Sequence, residues 1–300
     1  MSETMLAVGA AGPNAGLVIP ALVQRGAHVR ALIRHPQQTD VVRRAGAAEV
    51  AIGDLTDRAS IDKALQGVAR LFYIGPAFIE REAEHGVAMV DAARSAGVRR
   101  IVFSSVIHPV LTDLANHSAK ARVEEAILDS GLDYVFLHPA RFFQNYLVSW
   151  QQVMQSRVLA EPWSTKTRFS RVDYRDVAEV AAMALTDDRL VGGTYELCAE
   201  GVHDSEAVAE LLTKILGQPI RAERIDPVRA ARGHAPMRAM FEHYDRIGLV
   251  GNALTLTAIL RREPRTLAQF FREVATGSYQ PRKKSLGTEP GLDQLKSVRR

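Results

Sequence analysis

The sequence predicts an α/β protein, an open, doubly wound parallel sheet followed by a small α+β lobe. Three observations carry this. Apolar runs of strand length alternate with segments of helical spacing through the first 140 residues, a glycine-rich turn follows the first run, and the alternation loosens after Leu137. The strand-like runs lie at 5–8, 29–33, 50–52, 71–74, 101–103 and 134–137, with helical segments at 17–24, 41–45, 61–65, 87–96 and 121–128. Such alternation calls for right-handed crossovers and a parallel sheet with helices on both faces. Gly26, Gly67, Gly97 and Gly131 each follow a helical segment, where a left-handed cap favours glycine.

The second half reads differently. An aromatic-rich helix over 142–154 precedes a loop over 157–171 and an amphipathic helix over 173–186, with Asp173 as its N-cap. A strand at 195–198, a helix at 205–216, a strand at 220–225 and further helices to Ala275 complete it. This half lacks a second full set of strand–helix–strand units. It reads as a lobe on the C-terminal edge of the sheet, where open α/β folds bind ligands. The expected division is 1–140 for the sheet domain, with later segments returning to it, 141–280 for the substrate lobe, and 281–300 for a tail.

Composition narrows the function classes. No apolar run approaches the roughly 18 residues that cross a bilayer, and the start, Met1-Ser2-Glu3-Thr4, does not read as a secretory signal. The single cysteine, Cys198, excludes an internal disulfide framework or a cysteine metal cluster and fits a reducing, cytoplasmic compartment. After Gln280 six basic residues stand against two acidic ones, a surplus equal to the +4 of the whole chain. The body is therefore neutral and offers no footprint for nucleic acid. The tail has charge, Pro and Gly but no apolar period, and is expected to be disordered or loosely docked. No metal site is expected.

The strongest chemical signal is the first turn. Gly9-Ala10-Ala11-Gly12-Pro13-Asn14-Ala15-Gly16 follows a strand and opens a helix. The backbone there must turn sharply and then approach a pyrophosphate too closely for a side chain, while the helix N-terminus offers N–H groups to the phosphate charge. In that context the pattern predicts a Rossmann-type dinucleotide site. Where NAD-specific proteins usually place an acid, at the end of the second strand, this chain has Arg34-His35. A guanidinium there suits a 2′-phosphate, so NADPH is favoured over NADH; the plain alternative is a solvated arginine. Asp54, in Gly53-Asp54-Leu55, can meet an adenine amino group or cap a helix.

These pieces together resemble the NmrA-like branch of the atypical short-chain dehydrogenase/reductases. So do the stretch from Ala93 to Ser105, Lys120 with Glu124, the stretch from Ser130 to Tyr134, His138-Pro139-Ala140-Arg141-Phe142-Phe143-Gln144-Asn145, and Val172-Asp173-Tyr174-Arg175-Asp176-Val177-Ala178. The resemblance implies a nicotinamide-dinucleotide domain with a small substrate lobe. It gives Gly9, Gly12, Pro13, Asn14 and Ala15 to the pyrophosphate, Arg34 to the adenosine phosphate, and Asp54 with Leu55 to the adenine. Ile74, Gly75 and Pro76 would follow the ribose, Ser104 and Lys120 would flank the nicotinamide ribose, and Pro139 to Phe142 would border the nicotinamide. Ala15 stands where a third glycine is usual.

Ordinary members of the superfamily carry Tyr-x-x-x-Lys on one helix, so that the lysine lowers the tyrosine pKa. Here Lys120 is in place but Asn116 stands four residues before it, and an amide cannot deliver a proton. Ser105, His117, His108, Tyr146, Lys120 and water all stay open as the donor. Phe142, Phe143, Tyr146 and Trp150, with Trp163 beyond, can wall a pocket for a flat apolar substrate or form the stripe of a core helix. Two functions follow. One is an NADPH-dependent reductase of an apolar carbonyl, quinone or similar small molecule. The other is a non-catalytic redox sensor acting through a protein partner.

Overall fold

The computed structural model describes residues 3–279, and the expected tail at 281–300 lies outside the described residues. All six expected strands form: β1 (Thr4–Ala7), β2 (His28–Ile33), β3 (Glu49–Ile52), β4 (Val68–Tyr73), β5 (Arg100–Ser104) and β6 (Asp133–Pro139). Between them run α1 (Val18–Gln24), α2 (Thr39–Arg44), α3 (Arg58–Leu65), α4 (Glu82–Ser95) and α5 (Ala115–Asp129). Helix α4 begins five residues before the apolar period does. Its first turn carries Glu82 and Glu84, which suit the positive end of the helix, and Glu82 Oε2 accepts the backbone N–H of Phe78 at 2.8 Å.

The later elements are β7 (Arg141–Phe142), α6 (Tyr146–Ser156), β8 (Val158–Glu161), β9 (Arg171–Val172), α7 (Tyr174–Thr186), β10 (Gly193–Leu197) and α8 (Ser205–Leu216). After them come β11 (Arg221–Arg224), α9 (Pro227–Ala231), α10 (Ala235–Arg246), α11 (Leu254–Leu260) and α12 (Leu267–Ala275). The stretch read as a loop over 157–171 contains two short strands. Their partners, β11 for β8 and β7 for β9, lie far away or are only two residues long, so no local period announces them.

The central sheet has seven strands in the order β10-β6-β5-β4-β1-β2-β3, and the pairings from β3 through β6 are all parallel. The order reverses at β1, which lies between β2 and β4. The glycine turn follows β1 at this switch point, where such sheets bind ligands. One face of the sheet packs Leu6, Leu71, Ile101 and Phe103 against Ile61, Leu65, Met89, Val123 and Ile127 of α3, α4 and α5. At Gly86 a Cβ would stand 2.2 Å from Val123 Cγ2, so α4 and α5 approach as closely as they do only because that residue has no side chain.

The chain divides into two compact units, residues 3–138 with 175–195, and residues 139–174 with 196–279. The second has its own core, in which Phe143, Tyr146, Val153 and Leu159 meet Val208, Leu212, Phe270 and Phe271. Gln144 orders its chain crossing. The Gln144 amide donates to Asp173 Oδ1 at 2.8 Å, and its carbonyl accepts from Tyr174 N at 3.0 Å.

Candidate functional site

In the first unit, loops at the C-terminal edge of the sheet gather most of the residues singled out from the sequence. Gly9 has φ +73°, and a Cβ on it would meet Ile74 Cγ2 at 3.1 Å and Ala15 Cβ at 3.2 Å. Gly12 N donates to Gly9 O at 2.8 Å, and a Cβ on Gly12 would stand 3.0 Å from that oxygen. The turn is therefore closed to side chains at both glycines. Pro13 is exposed at its tip, Ala15 is buried, and Asn14 Oδ1 is buried with no hydrogen-bond partner among the described residues. A close-approach backbone with an unsatisfied amide beside it fits a phosphate-bearing ligand, with its hydroxyls or bound water as donors to that oxygen.

Two predicted residues meet at the ends of β2 and β3. Arg34 Nε lies 2.9 Å from Asp54 Oδ2, with the arginine half exposed. Burial pushes the Asp54 carboxyl up, but the N–H and hydroxyl of Thr56 and the Arg34 guanidinium outweigh it and hold the group below its ordinary value. Leu55 lines a cleft of about 250 Å³ between α3 and α4, whose walls include Arg58, Ile61, Arg81, His85 and Met89. Those residues carried no signal in the sequence beyond helical spacing.

The most informative arrangement surrounds Lys120. Its ammonium is buried, donates to Glu82 Oε1 at 2.7 Å and to Gly75 O at 3.3 Å, and lies 6.0 Å from the centre of the Phe103 ring. Both side chains of the ion pair are 8 % exposed. Tyr73 borders Gly75; burial, with the Glu82 carboxylate adding to it, pushes its phenol well above the ordinary range. Ile74 and Pro76, on either side of Gly75, are partly buried. One turn along α5, Glu124 Oε1 accepts from the Ser105 hydroxyl and lies 2.9 Å from His138 Nε2. Ser104 is wholly buried at the end of β5. Glu82, Glu124 and His138 received no role from the sequence. Glu124 stands four residues after Lys120, the same-face spacing that identified position 116, and that spacing was the available signal.

Asn116 Oδ1 is buried, with no hydrogen-bond partner among the described residues. His117 is wholly buried, with Nδ1 2.9 Å from the His108 carbonyl oxygen. In the second unit Pro139 is buried and Phe142 sits edge-on to Tyr174. The aromatic stripe is seated on α12: Phe143 packs on Phe270, and both Tyr146 and Trp150 pack on Phe271. Trp163 packs on Phe169, Phe241 and Tyr244. Phe143 and Tyr146 belong to the core of the second unit, and Trp150 packs against it. Cys198 is buried, and burial followed by the Glu196 charge pushes its thiol up to about 12, so it is inert.

The NmrA-like family model matches residues 1–270. The chain belongs to the NmrA-like family. Among its relatives, a (4-alkanoyl-5-oxo-2,5-dihydrofuran-3-yl)methyl phosphate reductase of Streptomyces griseus is 34% identical over 232 residues, covering 76% of this chain and 79% of its own. An NAD(P)H azoreductase of Xenophilus azovorans is 27% identical and covers 89% of this chain and 96% of its own. The fold matches an NADPH-dependent quinone oxidoreductase of Escherichia coli crystallised with NADPH, with a TM-score of 0.81 at 22% identity over 91% of this chain and 99% of that one. The last two of these are named for NAD(P)H or NADPH, whereas a photosystem II assembly factor of Guillardia theta, 24% identical over 74% of this chain and 73% of its own, carries no reductase name. Among the described residues no helix is long and apolar enough to cross a membrane.

Proposed function

We propose that this NmrA-like protein is an NADPH-dependent reductase of apolar carbonyl, quinone or similar small acceptors. The observation that carries the reading is the presentation of Lys120. Two of its three N–H donors are fixed by Glu82 and Gly75, which leaves the third for a hydroxyl of the nicotinamide ribose. When bound, the reduced nicotinamide supplies hydride. Gly9, Gly12 and Asn14 hold the pyrophosphate against the N-terminal end of the first helical segment. Arg34 takes the 2′-phosphate, and the cleft beside Leu55 takes the adenine.

The proton comes through Ser105. Its hydroxyl gives a proton to the oxyanion formed on the acceptor while a proton passes from His138 through Glu124 to the serine oxygen, so that Ser105 and Glu124 end as they began and His138 has lost one proton. The transfers between His138 and Glu124 and between Glu124 and Ser105 cross hydrogen bonds already formed between the side chains. His117, with its Nδ1 committed to a backbone carbonyl, has no part in this route. Because Glu82 neutralises Lys120, the lysine acts by orientation more than by net charge.

NADPH oxidation measured against a panel of quinones, aldehydes and enones tests the reading. Turnover with at least one acceptor, reduced at least tenfold in Ser105→Ala with NADPH affinity unchanged, is the expected result. No oxidation above background with any acceptor overturns it and leaves the cofactor-sensing alternative, which Asn116 in the tyrosine position favours.

A further inference from the structure

In the second unit, β7 and β9 pair in parallel with Arg141 directly opposite Arg171. Side chains opposite each other in a ladder point to the same face, and two like charges there repel. Both are withdrawn from water: Arg171 is 1 % exposed, and the Arg141 side chain 15 %. The two guanidiniums share an aromatic surround. Arg141 lies 4.5 Å from the ring centre of Trp163 and 5.4 Å from that of Tyr146, and Arg171 lies 5.7 Å from Tyr146 and 5.5 Å from Phe169.

The carboxylate that faces them is already spent. Glu161 pairs with Arg141 at 2.8 Å, and its other oxygen accepts from Ser205 Oγ at 2.7 Å and Trp163 Nε1 at 3.2 Å. Burial pushes its carboxyl up, and Arg141 and Arg171 more than reverse this, so Glu161 is ionised. Arg171 spends Nη1 on the carbonyls of Phe169 and His203. Arg141 Nη1, Arg171 Nε and Nη2, and the Tyr146 hydroxyl are buried with no hydrogen-bond partner among the described residues. Among the described residues one carboxylate thus serves two cations, and one positive charge with several donors is left over. A surplus of this kind is costly in a protein interior unless an anion meets it.

We propose that Arg141, Arg171 and Tyr146 form a receptor for a small oxyanion, a phosphate or carboxylate, either free or as the terminal group of an apolar ligand. Paired guanidiniums match the planar, multidentate acceptor geometry of such groups. The Tyr146 phenol, pushed up by burial, stays protonated and donates. The part-exposed Arg141 side chain marks the side from which the ligand reaches the pair.

Equilibrium dialysis of the full chain with radiolabelled inorganic phosphate, in chloride-free buffer of low ionic strength, tests this. Wild type should bind in a saturable manner. Arg171→Met should weaken binding at least a hundredfold, and Tyr146→Phe several-fold. Saturating NADPH, which in the reductase reading fills the dinucleotide turn and the Arg34 site, should leave this binding in place. Hexyl phosphate competing more tightly than phosphate would make the oxyanion part of an organic ligand, and equal or weaker competition would make it a free ion; both outcomes support the receptor. No saturable binding, or binding abolished by saturating NADPH and kept with Arg171→Met, overturns it. Should Arg171→Met fail to fold, Tyr146→Phe decides, because it removes one oxygen and keeps the ring that packs on Phe271: wild-type affinity in that variant also overturns the receptor.

Discussion

The two units each bury a charge cluster, and the clusters are built on opposite principles. In the first, Lys120 and Glu82 form a neutral pair, 8 % exposed on both sides, with one ammonium donor left over. In the second, Arg141 and Arg171 stand side by side, and among the described residues Glu161 alone faces them, which leaves one unit of positive charge without a counterpart there. A neutral buried pair is a positioning device, whose strength lies in fixed geometry. An unbalanced cluster is a demand for a ligand. The contrast teaches that the sign and count of buried charges separate a residue placed to orient from residues placed to bind.

The comparison breaks first at Glu161. Glu161→Gln keeps the volume and removes the charge, which leaves two buried guanidiniums facing each other. Loss of one partner from a buried pair typically costs about 3–5 kcal/mol, and the second cation places this variant at the upper end. Urea unfolding at neutral pH measures it, and phosphate should restore part of the loss. A cost below about 1 kcal/mol would mean that the cluster is solvated. Lys120→Met comes next, because it strands Glu82 as a buried charge, while the double variant Lys120→Met with Glu82→Gln should recover most of the stability. In the reductase reading neither variant recovers turnover, and kcat falls more than cofactor affinity does. Turnover restored in the double variant would remove Lys120 from the chemistry.

How far each region could be read from sequence follows the same divide. Strands β1 to β6 and the glycine turn were legible because a parallel sheet writes itself into short apolar runs, and because Gly9 and Gly12 sit where a side chain cannot. The pairing of Arg34 with Asp54 joins two positions already marked for one ligand. Strands β8 and β9 were not legible. Each has at most four residues, and their partners give no local period. Glu82 escaped because it precedes the apolar stripe of α4, although its position in the first turn, near Gly75 in sequence, was available. The Arg141–Arg171 register could not be inferred at all, since it depends on a crossing fixed by Gln144, Asp173 and Tyr174. The aromatic stripe was legible as a stripe, and only the fold showed that α12 receives it.

A smaller effect concerns Arg34 and cofactor choice. A charge-assisted hydrogen bond to a phosphate contributes about 1.5–3 kcal/mol, or roughly ten- to a hundredfold in affinity. NADPH should bind more tightly than NADH by that factor. Arg34→Ala should remove the preference while leaving NADH nearly untouched, although Asp54 then loses a partner. Salt should narrow the gap, because the guanidinium is half exposed. Calorimetric titration of both cofactors into both proteins reads this directly, and equal wild-type affinities would return Arg34 to the surface.

The smallest expected effect sharpens the comparison from outside, at an ion pair in water. Asp187 receives the side chain of Arg189 at 2.9 Å and its backbone N–H at 2.8 Å, with Arg25 at 4.0 Å, and the Arg189 hydrogen bond leads in holding its carboxyl down at about 2. A folded-state pKa below the unfolded value of about 3.9 means that the carboxylate stabilises the fold above pH 4, and that this contribution is lost as pH falls through 2. The Arg189 side chain is 53 % exposed, so solvent screening holds the gain to less than about 1 kcal/mol. Asp187→Asn should therefore lower stability only slightly at pH 7, and the gap between wild type and variant should close between pH 4 and pH 2 and shrink in high salt. Urea unfolding of both proteins along that pH series measures it. A gap as large as that of Glu161→Gln would erase the distinction drawn here, because exposed and buried carboxylates would then carry equal weight.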